Sequence, residues 1–204
     1  YDFALEAHQN QKREEGVPYI IHPVAVAKIL TELKLDSATI TTGLLHDTIE
    51  DTFATYETIK GEFGDEVADL VDGVTKISAL ENTASSNSKA ENFRKLILAT
   101  SKDIRVLLVK IADRLHNMRT IKAINKLEKR QRIAQETMEI YAPLADRMGM
   151  HRIRDELEDL SFEVLNFEAR SLIQKRLDEI KLDRKDIFKT LSNEISNLLN
   201  QNKI

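Results

Sequence analysis

The sequence predicts an all-α protein, and three observations support that fold class. The 204 residues include only six glycines and three prolines, so the residues that make tight turns are scarce. Apolar residues recur three and four positions apart along most of the chain, which is the spacing of one helix face. No segment alternates apolar and polar residues in the way that is typical of a strand. Together these features favour a helical bundle over a sheet protein.

Composition narrows the possible functions. The chain has no cysteine, so any metal must be bound by histidine and carboxylate side chains. No apolar run approaches the roughly 20 residues that a membrane-spanning helix needs. The formal net charge of −4 argues against a general nucleic-acid binder, although it does not exclude an anionic small ligand. The chain starts without methionine in a segment that already reads as helix, so we expect it to belong to a longer protein.

The first half of the chain predicts a series of short helices. A helix over residues 3–11 precedes a turn that contains Gly16 and Pro18. Pro23 suits the first turn of the next helix, so His22 is expected at its entrance. Residues 38–51 are predicted as one helix that carries the run Leu-Leu-His-Asp-Thr-Ile-Glu-Asp at residues 44–51. Further helices are predicted over residues 55–63 and from Asp65 onward.

The second half begins with a polar segment at residues 78–88, which is either a mobile flap over the site or a plain surface loop. Helices are predicted over residues 90–100, over residues 104–120 with Asp103 as the cap, and over residues 128–144 up to Pro143. Amphipathic helices follow at residues 151–165, 167–180 and 184–199. We expect residues 1–180 to form the main bundle and residues 181–204 to form a terminal helix or linker.

Crowded ionisable side chains indicate a metal site. His46 and Asp47 are adjacent, and Glu50 and Asp51 follow within one helical turn. Such crowding is unfavourable unless a cation neutralises it. A His-Asp pair alone is a weak indication, because it is common and a lone histidine in an apolar helix is usually a core residue. With two further ligands, the candidate set is His22, His46, Asp47 and Asp113. Two imidazoles and two carboxylates suit Mn²⁺ before Zn²⁺ or Fe²⁺.

The order of these residues resembles the HD phosphohydrolase superfamily, and longer blocks are similar to the hydrolase half of the RelA/SpoT-type alarmone enzymes. The matching blocks are residues 13–23, 44–51, 71–76, 110–120 and 141–149. The resemblance is collinear from near residue 1 to about residue 165. It implies an all-α HD-domain bundle with a metal site between helices.

The resemblance also implies a reaction. Enzymes of this family use one Mn²⁺ to remove the 3′-pyrophosphate of guanosine tetra- or pentaphosphate, which gives GDP or GTP and pyrophosphate, and so control the stringent response in the bacterial cytoplasm. Glu50 and Asp51 correspond to the catalytic acids, and Arg13, Asn117 and Thr120 to the substrate-binding residues. The expected partners are the nucleotide and covalently attached synthetase and regulatory domains, without a membrane or direct nucleic-acid contact.

Several other side chains have more than one interpretation. Glu14 and Glu15 depart from the family, which commonly has small or basic residues there, and two acids should weaken the binding of an anion. Lys110, Arg114, Arg119 and Lys122 either offset the ligand charge or form ordinary surface pairs. His116 is a candidate to orient Asp113, whereas His8 and His151 are predicted to be structural or surface residues, and Tyr19 and Tyr141 core aromatics.

Two rival functions remain open at this stage. In the first, the fold serves only as a regulatory module that restrains a synthetase, although all four metal ligands are present. Alternatively, the domain is an HD enzyme that acts on another nucleotide, such as a deoxynucleotide or a cyclic nucleotide. Arg13, Asn117 and the long matching blocks favour the guanosine substrate.

Overall fold

The computed structural model describes residues 1–83 and 103–201, and these confirm the all-α prediction. Within them no strand forms, and one isolated bridge pairs Lys12 with Pro18. The chain divides into two compact units, Tyr1–Ser161 and Phe162–Ile204, which are described separately below. None of the described helices is both long and apolar enough to cross a membrane.

The first unit contains most of the helices. They are α1 (Asp2–Ala7), α2 (Ile21–Glu32), α3 (Ser37–Leu45), α4 (Thr48–Asp51), α5 (Tyr56–Phe63), α6 (Asp65–Thr83), α7 (Arg105–Arg119), α8 (Leu127–Glu136), α9 (Ala142–Arg147) and most of α10 (His151–Leu165), whose last four residues belong to the second unit. A 3-10 turn (Ile121–Ala123) precedes α8, and a π-helical turn (Thr137–Tyr141) joins α8 to α9. In the second unit, α11 (Phe167–Gln201) is a continuous helix. The predicted domain boundary between residues 180 and 181 stays a prediction.

Helix α7 is the centre of the first unit. It packs against α2, α3 and α6, and α2 and α3 also pack against each other. Ile111, Leu115 and Met118 are buried on one side of this helix, and Val106 and Val109 are buried on the opposite side. A helix covered on both sides holds its side chains in fixed positions, because a packed interior leaves little room for alternative rotamers. The polar residues of α7 are therefore presented from a rigid support.

Two glycines allow the helices around this centre to approach closely. A Cβ atom on Gly43 of α3 would lie 2.5 Å from Leu30 Cδ1 and 3.4 Å from Ala27 Cα, both on α2. A Cβ atom on Gly73 of α6 would lie 2.9 Å from Val106 Cγ2 on α7. Larger residues would push these helix pairs apart, and the side chains that the helices carry would separate with them.

The prediction of one helix over residues 38–51 is wrong, because the helix breaks at His46 and Asp47. Helix α3 ends at Leu45, and α4 begins at Thr48. Side chains take the carbonyls that a continuing helix would use: His46 Nδ1 lies 2.9 Å from Gly43 O, and Thr48 Oγ1 donates to Leu45 O at 2.6 Å. His46 and Glu50 therefore belong to no common helix.

Two other predicted boundaries also move. Residues 78–83 were expected in a loop but continue α6, where Ser78 Oγ donates to Val74 O at 3.3 Å and Ile77 is fully buried. The rest of the proposed flap and the helix predicted over residues 90–100 lie outside the described residues. Pro143 does not end a helix, because it occupies the first turn of α9, a position that proline favours.

Candidate metal centre

Four predicted ligands from three segments of the first unit converge on one point. His22 Nε2 lies 3.2 Å from Asp113 Oδ1 and 3.6 Å from Asp47 Oδ2. His46 Nε2 lies 3.0 Å from Asp47 Oδ2 and 3.8 Å from Asp113 Oδ1. His22 comes from the first turn of α2, His46 and Asp47 from the break between α3 and α4, and Asp113 from the middle of α7.

The break after α3 fixes how His46 faces the centre. Gly43 O can only accept a hydrogen bond, so the contact at 2.9 Å places the ring proton on His46 Nδ1. In the neutral form that a metal requires, His46 Nε2 then carries the lone pair and points at the carboxylates. The same contact that ends α3 therefore prepares this imidazole as a ligand.

The residues present fit a bound divalent cation. His46 Nε2 is buried and has no hydrogen-bond partner within the described part of the chain, although two carboxylate oxygens lie near it. His22, His46 and Asp113 each offer a ligand atom, and the three atoms lie within 4.8 Å of one another. Ligands about 2.1 Å from a shared ion are about 3 Å apart at adjacent positions. Two imidazole nitrogens and two carboxylates form a donor set for Mn²⁺, Fe²⁺ or Zn²⁺.

The ligands influence one another strongly because they are buried together. Burial lowers the pKa of His22 and keeps this ring neutral, as a metal ligand must be. Burial also disfavours the charged form of His46, but Asp47 and Asp113 outweigh it and raise the pKa of His46 to about 10. Burial would raise the pKa of both acids, yet His46 lowers the pKa of Asp47 to about 2, and Lys110 with the histidines holds that of Asp113 well below its ordinary value.

A cavity of about 450 Å³ opens over this centre, a size suited to a small molecule. Glu50 and Asp51 both line it. Burial, followed by repulsion from Asp51 and Asp47, raises the pKa of Glu50, and burial with repulsion from Asp47 raises that of Asp51. Six cationic side chains also line the cavity: Lys12, Arg13, Lys110, Arg114, Lys129 and Arg132.

The three predicted substrate-binding residues form one hydrogen-bonded cluster. Arg13 Nη2 donates to Asn117 Oδ1 at 2.9 Å and to Thr120 Oγ1 at 3.1 Å, although more than 100 residues separate them. Asn117 Nδ2 donates to Asp113 Oδ1 at 2.6 Å. Asn117 therefore links a cation at the cavity wall to a candidate metal ligand.

The four cations proposed to offset ligand charge divide into two pairs. Lys110 and Arg114 line the cavity, whereas Arg119 and Lys122 are not among its lining residues. Lys110 is buried and lies 3.5 Å from Asp113 Oδ2. Arg114 forms an ion pair with Glu136 at 2.9 Å and lies over the ring of Tyr141. Arg119 pairs with Glu156 on α10, so it has a structural contact away from the cavity.

Two residues play parts that sequence reasoning missed. His116 was expected to orient Asp113, but its Nδ1 lies 2.7 Å from Nδ1 of His22. Burial and the neighbouring His22 lower the pKa of His116 to about 4, so it is neutral, and its Nδ1 can accept a hydrogen bond from His22 Nδ1. Tyr19, predicted as a core aromatic, donates its phenolic hydrogen bond to Asp47 Oδ2 at 2.6 Å. Its position three residues before His22 was the available indication.

The chain matches known proteins along its whole length. Residues 1–151 match the model of a family described as HD domain. A GTP pyrophosphokinase named rsh from Brucella melitensis is 48% identical over 204 residues, which is all of this chain and 27% of that protein. The bifunctional (p)ppGpp synthase/hydrolase SpoT of Escherichia coli is 48% identical over 201 residues, 98% of this chain and 28% of that protein.

Solved structures show the same likeness. A metazoan orthologue of SpoT, described as hydrolysing ppGpp, superposes with a TM-score of 0.55 and 26% sequence identity, and the match covers 90% of this chain and 92% of that one. The chain spans only about a quarter of the length of the curated relatives that it matches.

Proposed function

Because the chain belongs to the HD domain family, we propose that it is a metal-dependent hydrolase that removes the 3′-pyrophosphate from ppGpp or pppGpp. The observation that carries the proposal is the convergence of His22, His46, Asp47 and Asp113 within 3.0–3.8 Å beside a cavity that six cationic side chains also line. Relatives named as (p)ppGpp hydrolases support the substrate.

The four convergent side chains would hold one divalent cation, and Mn²⁺ suits their mixture of imidazole and carboxylate. When bound, such an ion supplies a Lewis acid for a phosphate oxygen and lowers the pKa of a water. Lys110 and Asn117 hold the two oxygens of Asp113, which fixes the direction of this ligand. His116 fixes His22 from behind in the same way.

Glu50 and Asp51 are the proposed proton acceptors. Both line the cavity, and burial holds their pKa values above the ordinary range. A carboxylate is a more effective general base when its pKa lies closer to the working pH, so this shift favours their role. Water attacks the phosphorus attached to the 3′ oxygen, and the P–O3′ bond breaks. One of these acids takes a proton from the water, and the leaving 3′ oxygen takes up a proton from the solvent. The products are the 3′-hydroxyl nucleotide and pyrophosphate.

The cation-lined part of the cavity would bind the anionic nucleotide. Arg13 is held by Asn117 and Thr120, so its guanidinium is already positioned beside the centre. An arginine can pair with phosphate or stack on a base, and the neighbouring amide and hydroxyl can bond a base edge or a ribose. These residues would therefore place the 3′-phosphate near the metal ligands.

The wider setting follows from the relatives. We propose that this domain works in the bacterial cytoplasm as part of a longer protein that also contains an alarmone synthetase and regulatory domains. Its hydrolysis would lower the level of the alarmone and so act in the stringent response. The low share of each relative that the chain covers, and the name synthase/hydrolase of one of them, support this arrangement.

The proposal is tested by a turnover assay. Purified protein with Mn²⁺ should release pyrophosphate from ppGpp, and in ¹⁸O-water the label should appear in pyrophosphate and not in GDP. Asp47→Ala and Asp113→Ala should lower turnover by at least about a thousandfold, because several kcal/mol of transition-state stabilisation depend on the cation. Asp69→Ala is the matched control, since this carboxylate binds Tyr56 on the surface of the unit.

Three results would contradict the proposal. Unchanged ppGpp cleavage by both ligand variants would place the chemistry elsewhere. A protein that binds ppGpp and Mn²⁺ but never turns over would indicate the regulatory module instead. Release of inorganic phosphate rather than pyrophosphate would indicate a different bond and a different substrate class.

A further inference from the structure

We propose that Tyr19 is a positioning residue of the metal centre: its hydroxyl holds Asp47 towards the ion and separates Asp47 from Asp51. The inference deepens the proposed function and rests on it, because it concerns a residue that acts through a metal ligand. It assigns a role to a side chain that the sequence predicted as a core aromatic.

The hydroxyl of Tyr19 lies between two carboxylates. Tyr19 Oη donates to Asp47 Oδ2 at 2.6 Å and lies 3.4 Å from Asp51 Oδ2. Asp47 Oδ2 is the same atom that faces His46 Nε2 and His22 Nε2. A phenol has one proton to donate, and the shorter contact assigns it to Asp47. The contact therefore acts on the ligand atom itself and not on a distant part of the side chain.

The aromatic ring is fixed on both sides. The ring of His8 stacks on Tyr19 with centroids 4.6 Å apart, and the ring of His22 meets it edge-on at 5.8 Å. His8 is buried, and its Nδ1 lies 2.8 Å from Gln11 Oε1. A ring held in this way keeps its hydroxyl in one direction, which is what orients a ligand oxygen.

The segment before α2 also contacts α4. Tyr19 N donates to Gln11 O at 3.0 Å, and Arg13 N donates to Val17 O at 3.0 Å, so the turn between them is closed by two bonds. Gln11 Nε2 donates to Asp51 O at 2.6 Å. Within this turn Gln11 thus binds the backbone of Asp51, and Tyr19 binds the carboxylate of Asp47.

The arrangement gives the two acids different environments. Asp47 accepts the hydrogen bond of the phenol and faces two imidazole nitrogens, an arrangement that suits an ionised ligand. Asp51 has only the longer contact with Tyr19 and lies near the repelling charge of Asp47. Without the hydroxyl, Asp47 would lose the donor that fixes its orientation, and the two carboxylates would face each other with nothing between them.

The experiment compares two substitutions that each remove one hydroxyl. Tyr19→Phe keeps the ring stacked on His8, and Tyr56→Phe is the matched control because Tyr56 Oη donates to Asp69 Oδ1 at 2.7 Å on the surface. Titration of each metal-free protein with MnCl₂, followed by the electron paramagnetic resonance of free Mn²⁺, should show a roughly tenfold or larger rise in Kd for Tyr19→Phe and none for Tyr56→Phe. Helix content should be unchanged in both.

The outcomes separate this inference from the proposed function. Equal Mn²⁺ affinity of wild type and Tyr19→Phe overturns the inference, whatever the activity. A loss of helix content in Tyr19→Phe overturns it as well, because the residue would then be structural. Wild-type protein without measurable Mn²⁺ binding overturns both proposals. Weaker Mn²⁺ binding in Tyr19→Phe, with no ppGpp cleavage by the wild type, supports the positioning role and rejects only the proposed reaction.

Discussion

Helix α7 meets two clusters of charged side chains. The pKa of Asp103 in the first cluster is lowered, whereas the pKa values of Glu50 and Asp51 beside the second cluster are raised. Near its start, Arg105 pairs with Asp103 and Glu66, each at 2.7 Å. The hydrogen bond from Arg105 lowers the pKa of Asp103. In its middle, α7 contributes Asp113 to the metal centre, where burial raises the pKa of the nearby acids Glu50 and Asp51.

The opposite directions of these pKa shifts distinguish acids that stabilise the fold from acids that are candidates for catalysis. An acid whose pKa is lowered in the folded state stabilises it above the ordinary carboxyl pKa, and this stability is lost as the pH falls. An acid whose pKa is raised has the opposite effect, because stability is lost as the pH rises and the group ionises. We therefore expect the Arg105 cluster to stabilise the fold at neutral pH, and Glu50 and Asp51 to destabilise it when no cation is present.

The largest expected effect is on turnover, at the catalytic acids. Glu50→Gln and Asp51→Asn should each lower kcat by about 10²–10⁴-fold, because a general base would be lost. Thermal unfolding of the metal-free variants at neutral pH should show a Tm no lower than that of the wild type. A lower Tm with unchanged kcat would show that these acids stabilise the fold and do not act in turnover.

Asn117 is the next test, since it joins Arg13 to Asp113. Asn117→Ala should weaken Mn²⁺ binding or lower kcat/KM by roughly 10–100-fold, because the outer contact of a metal ligand is removed. The KM for ppGpp should also rise as Arg13 loses a partner. Asn125→Ala, in the exposed segment before α8, is the control and should leave both quantities unchanged. Normal values in Asn117→Ala would show that Asp113 is oriented without it.

Arg105→Ala should lower the free energy of unfolding and leave turnover unchanged. The expected loss is up to about 1 kcal/mol of unfolding free energy at neutral pH, as for an exposed ion-pair network. In the folded state the hydrogen bond from Arg105 lowers the pKa of Asp103. The pKa of Asp36 is also lowered, chiefly by its hydrogen bond with Thr39. The difference in unfolding free energy between the variant and the wild type should therefore shrink as the pH falls through about 4. A constant difference at all pH values would show that packing, not charge, is lost.

The smallest effect is expected at the mouth of the cavity, where Glu14 pairs with Lys129 at 2.7 Å. Both side chains are about half exposed, so the pair itself contributes little stability. Glu14→Gln should lower the KM for ppGpp about two- to threefold, since an acid near an anionic ligand is removed, and added salt should reduce the difference. Glu62→Gln on α5 is the control. A higher KM in Glu14→Gln would mean that the pair holds the cavity wall in place.

Much of the fold could be predicted because local patterns determine helices. The helix over residues 55–63 has its predicted end at Gly64, and Thr55 Oγ1 accepts a hydrogen bond from Thr58 N at its start. The break at His46 could not be predicted from spacing, because it depends on side chains taking the carbonyls of Gly43 and Leu45. The spacing of apolar residues indicates which face of a helix is buried. It carries no information on whether side chains will bond to the backbone carbonyls of the helix.

The sequence by itself determined the helical class, the residue types of a metal centre and the order of its ligands along the chain. Only the tertiary structure decided that Arg13 reaches Asn117 and that Tyr19 reaches Asp47, because contacts over such separations depend on how helices pack. The same packing decided the protonation preferences of the acids. A pKa depends on burial and on neighbouring charges, and neither exists until the chain has folded around them.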